Sequence, residues 1–545
     1  LYLIANRRRE TAATKLREWS VPRAWNKLPA ALAWCLLALQ AAVPWTASHY
    51  ITQDGPSHLY TALVVKDLIL HPHGFYATAY RLQPRLVANW STSLLLGTLA
   101  PVFGAAHAEA ALSTFCVLFG FACLTYFRRS IDSSSPACDP LTNFLLNTWF
   151  LWVGYYNFHL GMSGCALLAG FYLRHARAWN GKRAAALGLG MVVLFFTHVL
   201  PVVLALMIIG LACVFEYIRA RTLPPAALLA AIAPVLALLG FFVTGRASRI
   251  AFQPEIGWAW SSFPLHVFAS ARGRAGEEAL LVPVMIALLA MGLLALRRRE
   301  WTTERLPLAA ASLASFAGYL LAPDAAFTGG QIKIRLAWAV FFFGCPALLS
   351  GTRPRALRTP LSLYIACFLA ANLVFTAQTL RKVSRAVDDY ASAMEQIPEG
   401  SAILRLYYRT QGTRERFGFD AIADDPLLHA DGLMAARRRL LDLSDYQALS
   451  RLFPITTGKQ FSTSQQDWLW RLENGEATGL EPVRDLLAHL PVRPAYVVLV
   501  GDDGSDAVRR SDFARGDFVK TVAWLDGNLL PVSQRDSFVR VYRQR

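Results

Sequence analysis

The sequence predicts a polytopic α-helical membrane protein of about eleven transmembrane helices with a C-terminal soluble α/β domain. Composition is the first observation behind this: 54% of the 545 residues are hydrophobic, only 17% are charged, and the mean hydropathy is +0.34. A water-soluble chain of this length needs a more charged exterior. Distribution is the second. Apolar runs of span length recur from Leu28 to about Gln378, where charges become dense, dividing the chain into 1–378 and 379–545. The third is charge placement: Arg7, Arg8 and Arg9, Arg128 and Arg129, Lys182 and Arg183, and Arg297, Arg298 and Arg299 all flank apolar runs. That is the positive-inside pattern, so the net charge of +17 orients spans and does not indicate a nucleic-acid partner.

With the basic clusters cytoplasmic, the elements follow in order. The basic stretch 7–27 and the apolar run 28–47 read as a signal anchor leaving the cytoplasm. A long outer loop leads to span 108–127, which returns to Arg128, and 141–157 with 159–174 form an out-and-back pair. The run 185–218 is too long for one crossing at about 1.5 Å per residue, and splits at His198–Pro201. Spans at 226–243, 279–296, 306–322, 334–350 and 360–378 complete the set. The apolar segment 90–106 has two readings, a further span or a short interfacial helix. A crossing there would move every later basic cluster outside, so the interfacial reading is preferred. The odd count places Asp54, His58, Asn157, His159, His198, Glu255, His266, Asp324, Lys333, Arg335 and the C-terminal domain on one, non-cytoplasmic side.

In the C-terminal domain, 402–408 and 496–500 read as buried strands and 431–452 as helix. Stretches 518–524 and 537–542 read as a strand pair across Asp526, Gly527 and Asn528, and 501–504 as a turn. All eight cysteines precede residue 379, so no disulfide framework holds this domain.

The chemistry concentrates in the first outer loop. Asp54 follows the first span within a few residues, Gly55 and Pro56 make a turn, and 57–70 reads as an amphipathic helix. Asp54 has two readings: a helix N-cap, or a carboxylate held at the membrane boundary as general base or partial cation ligand. His58 stands four residues on as a second polar partner. In the fifth outer loop Gly329 and Gly330 precede Lys333 and Arg335. These cations suit either a lipid phosphate, which arginine clamps bidentately, or snorkelling to headgroups. Arg81 and Arg85 are weaker candidates of the same kind, and His198 is an ionisable residue in apolar surroundings.

This order of features resembles the GT-C glycosyltransferases, multi-span enzymes that use lipid-phosphate-linked sugars. Gln53, Asp54 and Gly55 directly after span one, the helices 57–70 and 90–106, and a water-facing C-terminal domain carry the resemblance. The architecture is matched along the whole chain, the motif over these few residues. Many members have two neighbouring acids where this chain has a single Asp54 between Gln53 and Gly55. The resemblance implies an inverting glycosyltransferase with Asp54 as base and a polyprenyl-phosphate-sugar donor. It implies a glycan, lipid or protein acceptor, and a bacterial inner membrane with the C-terminal domain outside the cytoplasm. Lys333 and Arg335 would meet the donor phosphate, with His58, His198, Arg81 and Arg85 as further substrate contacts. A divalent cation, magnesium or manganese, is the cofactor it raises, with Glu255 or Asp324 as a second acid. Two other functions fit the composition: a transporter or flippase, against which no internal repeat is evident, and a non-catalytic membrane assembly protein with an outer binding domain.

Overall fold

The computed structural model describes residues 23–132, 139–176, 178–244, 267–268, 278–297, 302, 304–324, 330–349, 355–408, 410–419, 424–450, 452–473, 479–501, 512–533 and 537–545. Among the described residues six helical segments, against the eleven spans expected, are long and apolar enough to cross a membrane: Leu28–Thr46, Ala105–Ile131, Val199–Ala220, Ala226–Thr244, Ile332–Leu349 and Thr359–Met394; Trp90–Phe103, Ala279–Leu294 and Leu306–Leu321 are shorter apolar helices. That is the build of an integral membrane protein.

The first described helix, α1 (Arg23–Ala42), leads through a 3-10 turn (Val43–Thr46) and the loop 47–54 to α2 (Gly55–Leu70), whose second residue is Pro56, which suits a first helical turn because no N–H is needed there. The helix expected over 57–70 is present and is buried along most of its length, including Ser57, His58, Leu59 and Tyr60. It packs against α3 (Trp90–Phe103) and against the C-terminal region. At 14 residues α3 is about 21 Å long, shorter than the ~30 Å hydrocarbon layer. Gly104, at φ 73°, turns it directly into α4 (Ala105–Ile131).

One expected span is interrupted and one long apolar run divides as expected, each for a visible reason. Span 141–157 is two short helices, α5 (Pro140–Leu146) and α6 (Trp149–Val153). At the break Asn147 donates to Asn372 at 2.9 Å and accepts from Gln40 and Trp152 at 3.4 and 3.2 Å. Helix α7 (Tyr156–His175) then runs back along α4. The long run 185–218 divides where the sequence indicates, into α8 (Gly181–Thr197) and α9 (Val199–Ala220). His198 is extended there (φ −168°), and its Nδ1 accepts the Leu200 N–H at 3.2 Å. Pro201 needs no partner in the first turn of α9. Helices α10 (Ala226–Thr244), α11 (Val282–Arg297), α12 (Leu306–Leu321) and α13 (Ile332–Leu349) follow. Helix α14 (Arg355–Met394) carries the chain through position 378 without a break, about 60 Å in all.

The C-terminal region contains a five-stranded mixed sheet in the order β3-β2-β5-β7-β6. Strands β2 (Ala402–Tyr407), β3 (Leu441–Asp442) and β5 (Tyr496–Val500) are parallel; β7 (Val539–Arg543) is antiparallel to β5 and to β6 (Leu530–Pro531). Strand β5 is buried on both faces, as its unbroken apolar run requires. Two expectations fail here. The 431–452 helix is α16 (Ala430–Arg438), stopped by Arg439 in the left-handed conformation (φ 51°), then β3 and the short α17 (Tyr446–Ser450). Helix α15 (Gln411–Phe417) precedes α16 in the chain. The 518–524 strand is instead part of a helix, α20 (Asp512–Asn528), burying Phe518, Thr521 and Leu525 at helical spacing; α18 (Thr463–Glu473) and α19 (Leu480–His489) precede it.

The first loop and the C-terminal region are built into one another. Strand β1 (Tyr80–Leu82) pairs antiparallel with β4 (Ile455–Thr457), in register Arg81↔Thr456. The buried Asp445 accepts from Ser57 at 2.5 Å and Thr61 at 3.1 Å of α2.

Candidate functional site

Asp54 is held by a turn that several buried groups determine. Its N–H donates to the Val153 carbonyl at 3.0 Å, and its own carbonyl accepts from His58 N–H at 3.0 Å. One turn earlier, Thr52 donates both its N–H (3.0 Å) and its hydroxyl (2.7 Å) to Oε1 of Glu109, which also accepts from Tyr156 at 2.9 Å. Thr52 Oγ1 in turn accepts the Gly55 N–H at 3.0 Å. Two glycines permit this density. A Cβ at Gly55 would lie 1.7 Å from Glu109 Oε1; one at Gly154, where φ is 97°, would lie 2.3 Å from Thr52 Oγ1.

Asp54 occupies the N-cap position of α2, yet makes no side-chain capping bond. Its carboxylate turns instead to the C-terminal region: Oδ2 accepts from Tyr446 OH at 3.1 Å and Oδ1 from Gln53 Nε2 at 3.4 Å. His429 Nε2 lies 3.9 Å from Oδ1. Burial pushes the Asp54 pKa above the ordinary carboxylate value, opposed by His429, by the Tyr446 and Gln53 hydrogen bonds and by Arg335.

These groups face a cavity of about 550 Å³ bounded by α2, α9, α10, the start of α13 and the C-terminal region. Of the residues singled out in the sequence, Asp54, His58, His198 and Arg335 line it. Arg335 rests over the rings of Tyr155 and Phe158, each 5.2 Å from its guanidinium carbon. Its Nε is buried with no hydrogen-bond partner among the described residues, and none of their carboxylates is within ion-pair distance of it. His198 is half-buried, its ring 5.2 Å from Phe158. His58 is buried, and burial, then His429, holds its pKa down at about 3, so its ring is neutral near pH 7. It accepts from Gln447 Nε2 at 2.7 Å, and Gln447 also donates to Tyr446 OH at 3.3 Å, so His58 steadies the phenol that touches Asp54.

The other singled-out residues stand elsewhere. Arg81 donates to the Thr457 carbonyl at 3.2 Å beside the β1–β4 ladder, and Arg85 is exposed. Neither lines the cavity, nor does Lys333, whose backbone N–H donates to Asp324 at 3.2 Å. Asn157 also lines the cavity and accepts the Thr92 N–H at 2.9 Å; His159 is enclosed in the bundle against Trp338. Glu255, His266 and 502–504 lie outside the described residues.

Sequence reasoning missed His429, Tyr446 and Glu109. Glu109 carried a signal, an acid at the start of an apolar span, which marks a functional or structural role in a membrane segment. His429 and Tyr446 carried none, because nothing local distinguishes them from surface residues.

Among the described residues the donor set does not suit a hard divalent cation. No group of three or more His, Cys, Asp or Glu side chains able to hold a metal occurs among the described residues. Asp54 is a single carboxylate with both oxygens already accepting hydrogen bonds, whereas such ions take about six oxygen ligands. No protein-family model matches this sequence, and no curated protein matches it either.

Proposed function

We propose that this protein is a membrane glycosyltransferase of GT-C type, moving a sugar from a polyprenyl-phosphate donor to a glycan, lipid or protein acceptor on the non-cytoplasmic face. The observation that carries the proposal is the composition of one cavity. A carboxylate, Asp54, and a guanidinium without an ion-pair partner among the described residues, Arg335, line the same 550 Å³ space. Its wall continues into Val199, Leu200, Val203 and Phe242 of α9 and α10, two helices apolar enough to cross a membrane. Such a space suits a substrate with a lipid tail, a charged linkage and a polar head.

In this reading Asp54 accepts the proton of the acceptor hydroxyl as its oxygen attacks the anomeric carbon. The bond from that carbon to the phosphate oxygen breaks, and the polyprenyl phosphate departs with the electron pair. Arg335 meets its charge, the guanidinium being suited to phosphate and planted on aromatic faces that fix its plane. Inversion follows from a single displacement. In this reading the basic clusters beside the apolar runs are cytoplasmic and the cavity opens on the opposite side.

The test is transfer from a labelled polyprenyl-phosphate sugar by membranes containing the full chain. Asp54→Asn is expected to abolish transfer, and Arg335→Gln to lower it with a raised donor KM. Full activity of Asp54→Asn would remove it as base, and no transfer by the wild type with any polyprenyl-linked sugar would overturn the proposal.

A further inference from the structure

Beyond Asp54 the cavity wall continues into a row of buried charges that the transfer chemistry above does not use. Arg405, on β2, is fully buried and pairs with Asp431 Oδ1 at 3.2 Å and with Glu473. Glu473, at the end of α18 and 2% exposed, pairs through Oε1 with His429 Nδ1 at 2.7 Å, a length expected of a charge-assisted hydrogen bond. The other ring nitrogen, Nε2, points to Asp54 Oδ1 at 3.9 Å. The imidazole lies flat on Tyr446, ring centres 4.4 Å apart and planes 24° apart, and Tyr446 donates to the second Asp54 oxygen. From the core to the cavity the row runs Arg405, Glu473, His429 and Asp54.

We propose that Glu473 and His429 form a positioning dyad for Asp54, in which Glu473 fixes the imidazole and the imidazole, protonated, supplies the charge that keeps this enclosed carboxylate ionised. The inference rests on Asp54 being the base of the reaction. A base must be unprotonated, and enclosure works against that. Nδ1 donates to Glu473, and Nε2 stands 3.9 Å from Asp54, too far for a hydrogen bond but near enough for a charge on the ring to act on the carboxylate. The ring cannot rotate away: Nδ1 is tied to Glu473, Glu473 is tied to Arg405, and Tyr446 covers one face. The groups facing His429 are Glu473 from α18, Asp54 from the start of α2, Tyr446 from α17 and His58 from α2, with Arg405 behind Glu473 and Arg335 beyond Asp54. A histidine serving packing alone would leave the ionisation of Asp54 unmoved when replaced.

The experiment is pH-difference infrared spectroscopy of the full chain in lipid nanodiscs. The Asp54 carboxyl band is identified by its loss in Asp54→Asn. In His429→Gln its titration midpoint is expected to rise by about one to three pH units, the range for losing an opposite charge within 4–6 Å. Glu473→Gln keeps the Nδ1 partner but not its charge, and is expected to move the midpoint in the same direction by less; it serves as the second variant if His429→Gln does not fold. An unmoved midpoint in the folded variant overturns the dyad. The acid limb of kcat/KM for sugar transfer, read in parallel, is expected to move to higher pH with the infrared midpoint. If the midpoint moves while the wild type transfers no sugar, the dyad stands and the transferase reading falls. If Asp54→Asn is inactive while His429→Gln leaves both midpoint and acid limb in place, the transferase reading stands and the dyad falls.

Discussion

Asp445 joins the first loop to the C-terminal region, and its burial makes that junction pH-dependent. Its carboxylate accepts from Ser57 at 2.5 Å and Thr61 at 3.1 Å, yet burial outweighs these bonds and pushes its pKa up to about 7. In an unfolded chain the group titrates near 3.8. Between about pH 4 and pH 7 the folded protein therefore holds a proton that the unfolded chain has released. Stability falls as pH rises wherever the folded state binds more protons. For this carboxyl the fall runs through that window at up to about 1.4 kcal/mol per pH unit, about 4 kcal/mol in all. Asp445→Asn, neutral at every pH and close to isosteric, is expected to remove that contribution. The assay is the unfolding midpoint of purified protein in nanodiscs, followed by tryptophan fluorescence at half-unit intervals from pH 4.5 to 8. The wild-type midpoint should decline relative to the variant as pH rises, with the curves parallel above pH 8. Parallel curves across the whole range would refute the assignment of this pH dependence to Asp445.

Three further outcomes follow from the packing. Gly55→Ala places a methyl against the Glu109 carboxylate, so its unfolding midpoint should drop well below that of Gly527→Ala, whose added methyl meets nothing within 4 Å; equal midpoints would count against the turn described for Asp54. Arg128 and Asp139 form a buried pair with contacts of 2.7 and 2.5 Å, so Arg128→Ala should cost about 3–5 kcal/mol in denaturant unfolding, partly restored by adding Asp139→Ala. In the β1–β4 ladder, the bonds Gln83 N–H to Pro454 and Gly458 N–H to Ala79 make Arg81 and Thr456 the hydrogen-bonded pair between them. Thr456→Pro should therefore speed limited proteolysis of the first loop in the intact chain, whereas Arg81→Ala, which loses only a side-chain bond, should leave the rate near that of the wild type.

Much of the architecture was legible because it is local. An apolar run long enough to cross a bilayer declares itself, and so does a proline after a potential capping histidine; the division of 185–218 at His198 lay within one residue of where the sequence indicates. Strands β2 and β5 were legible as short apolar runs bounded by polar residues. Where local reading failed, a competing signal is identifiable. Phe518–Trp524 reads locally as a strand, but its buried positions recur at helical spacing. Helix α16 ends at an arginine in left-handed conformation, a stop that no glycine announces.

The site itself divides along the same line. The sequence by itself determined that a carboxylate would stand just after the first span and a guanidinium at the start of a late one, because each is set by its distance from a hydrophobic boundary. Only the tertiary structure decided their company. Tyr446 lies 392 residues from Asp54 in the chain, and Ser57 lies 388 from Asp445. Such contacts depend on how α2 beds against α16 and on the β1–β4 pairing, and side-chain periodicity encodes which face of an element is buried, never what buries it. For the same reason Arg335 was readable as a cation near the membrane boundary, but not as one planted on Tyr155 and Phe158 and facing a cavity shared with Asp54.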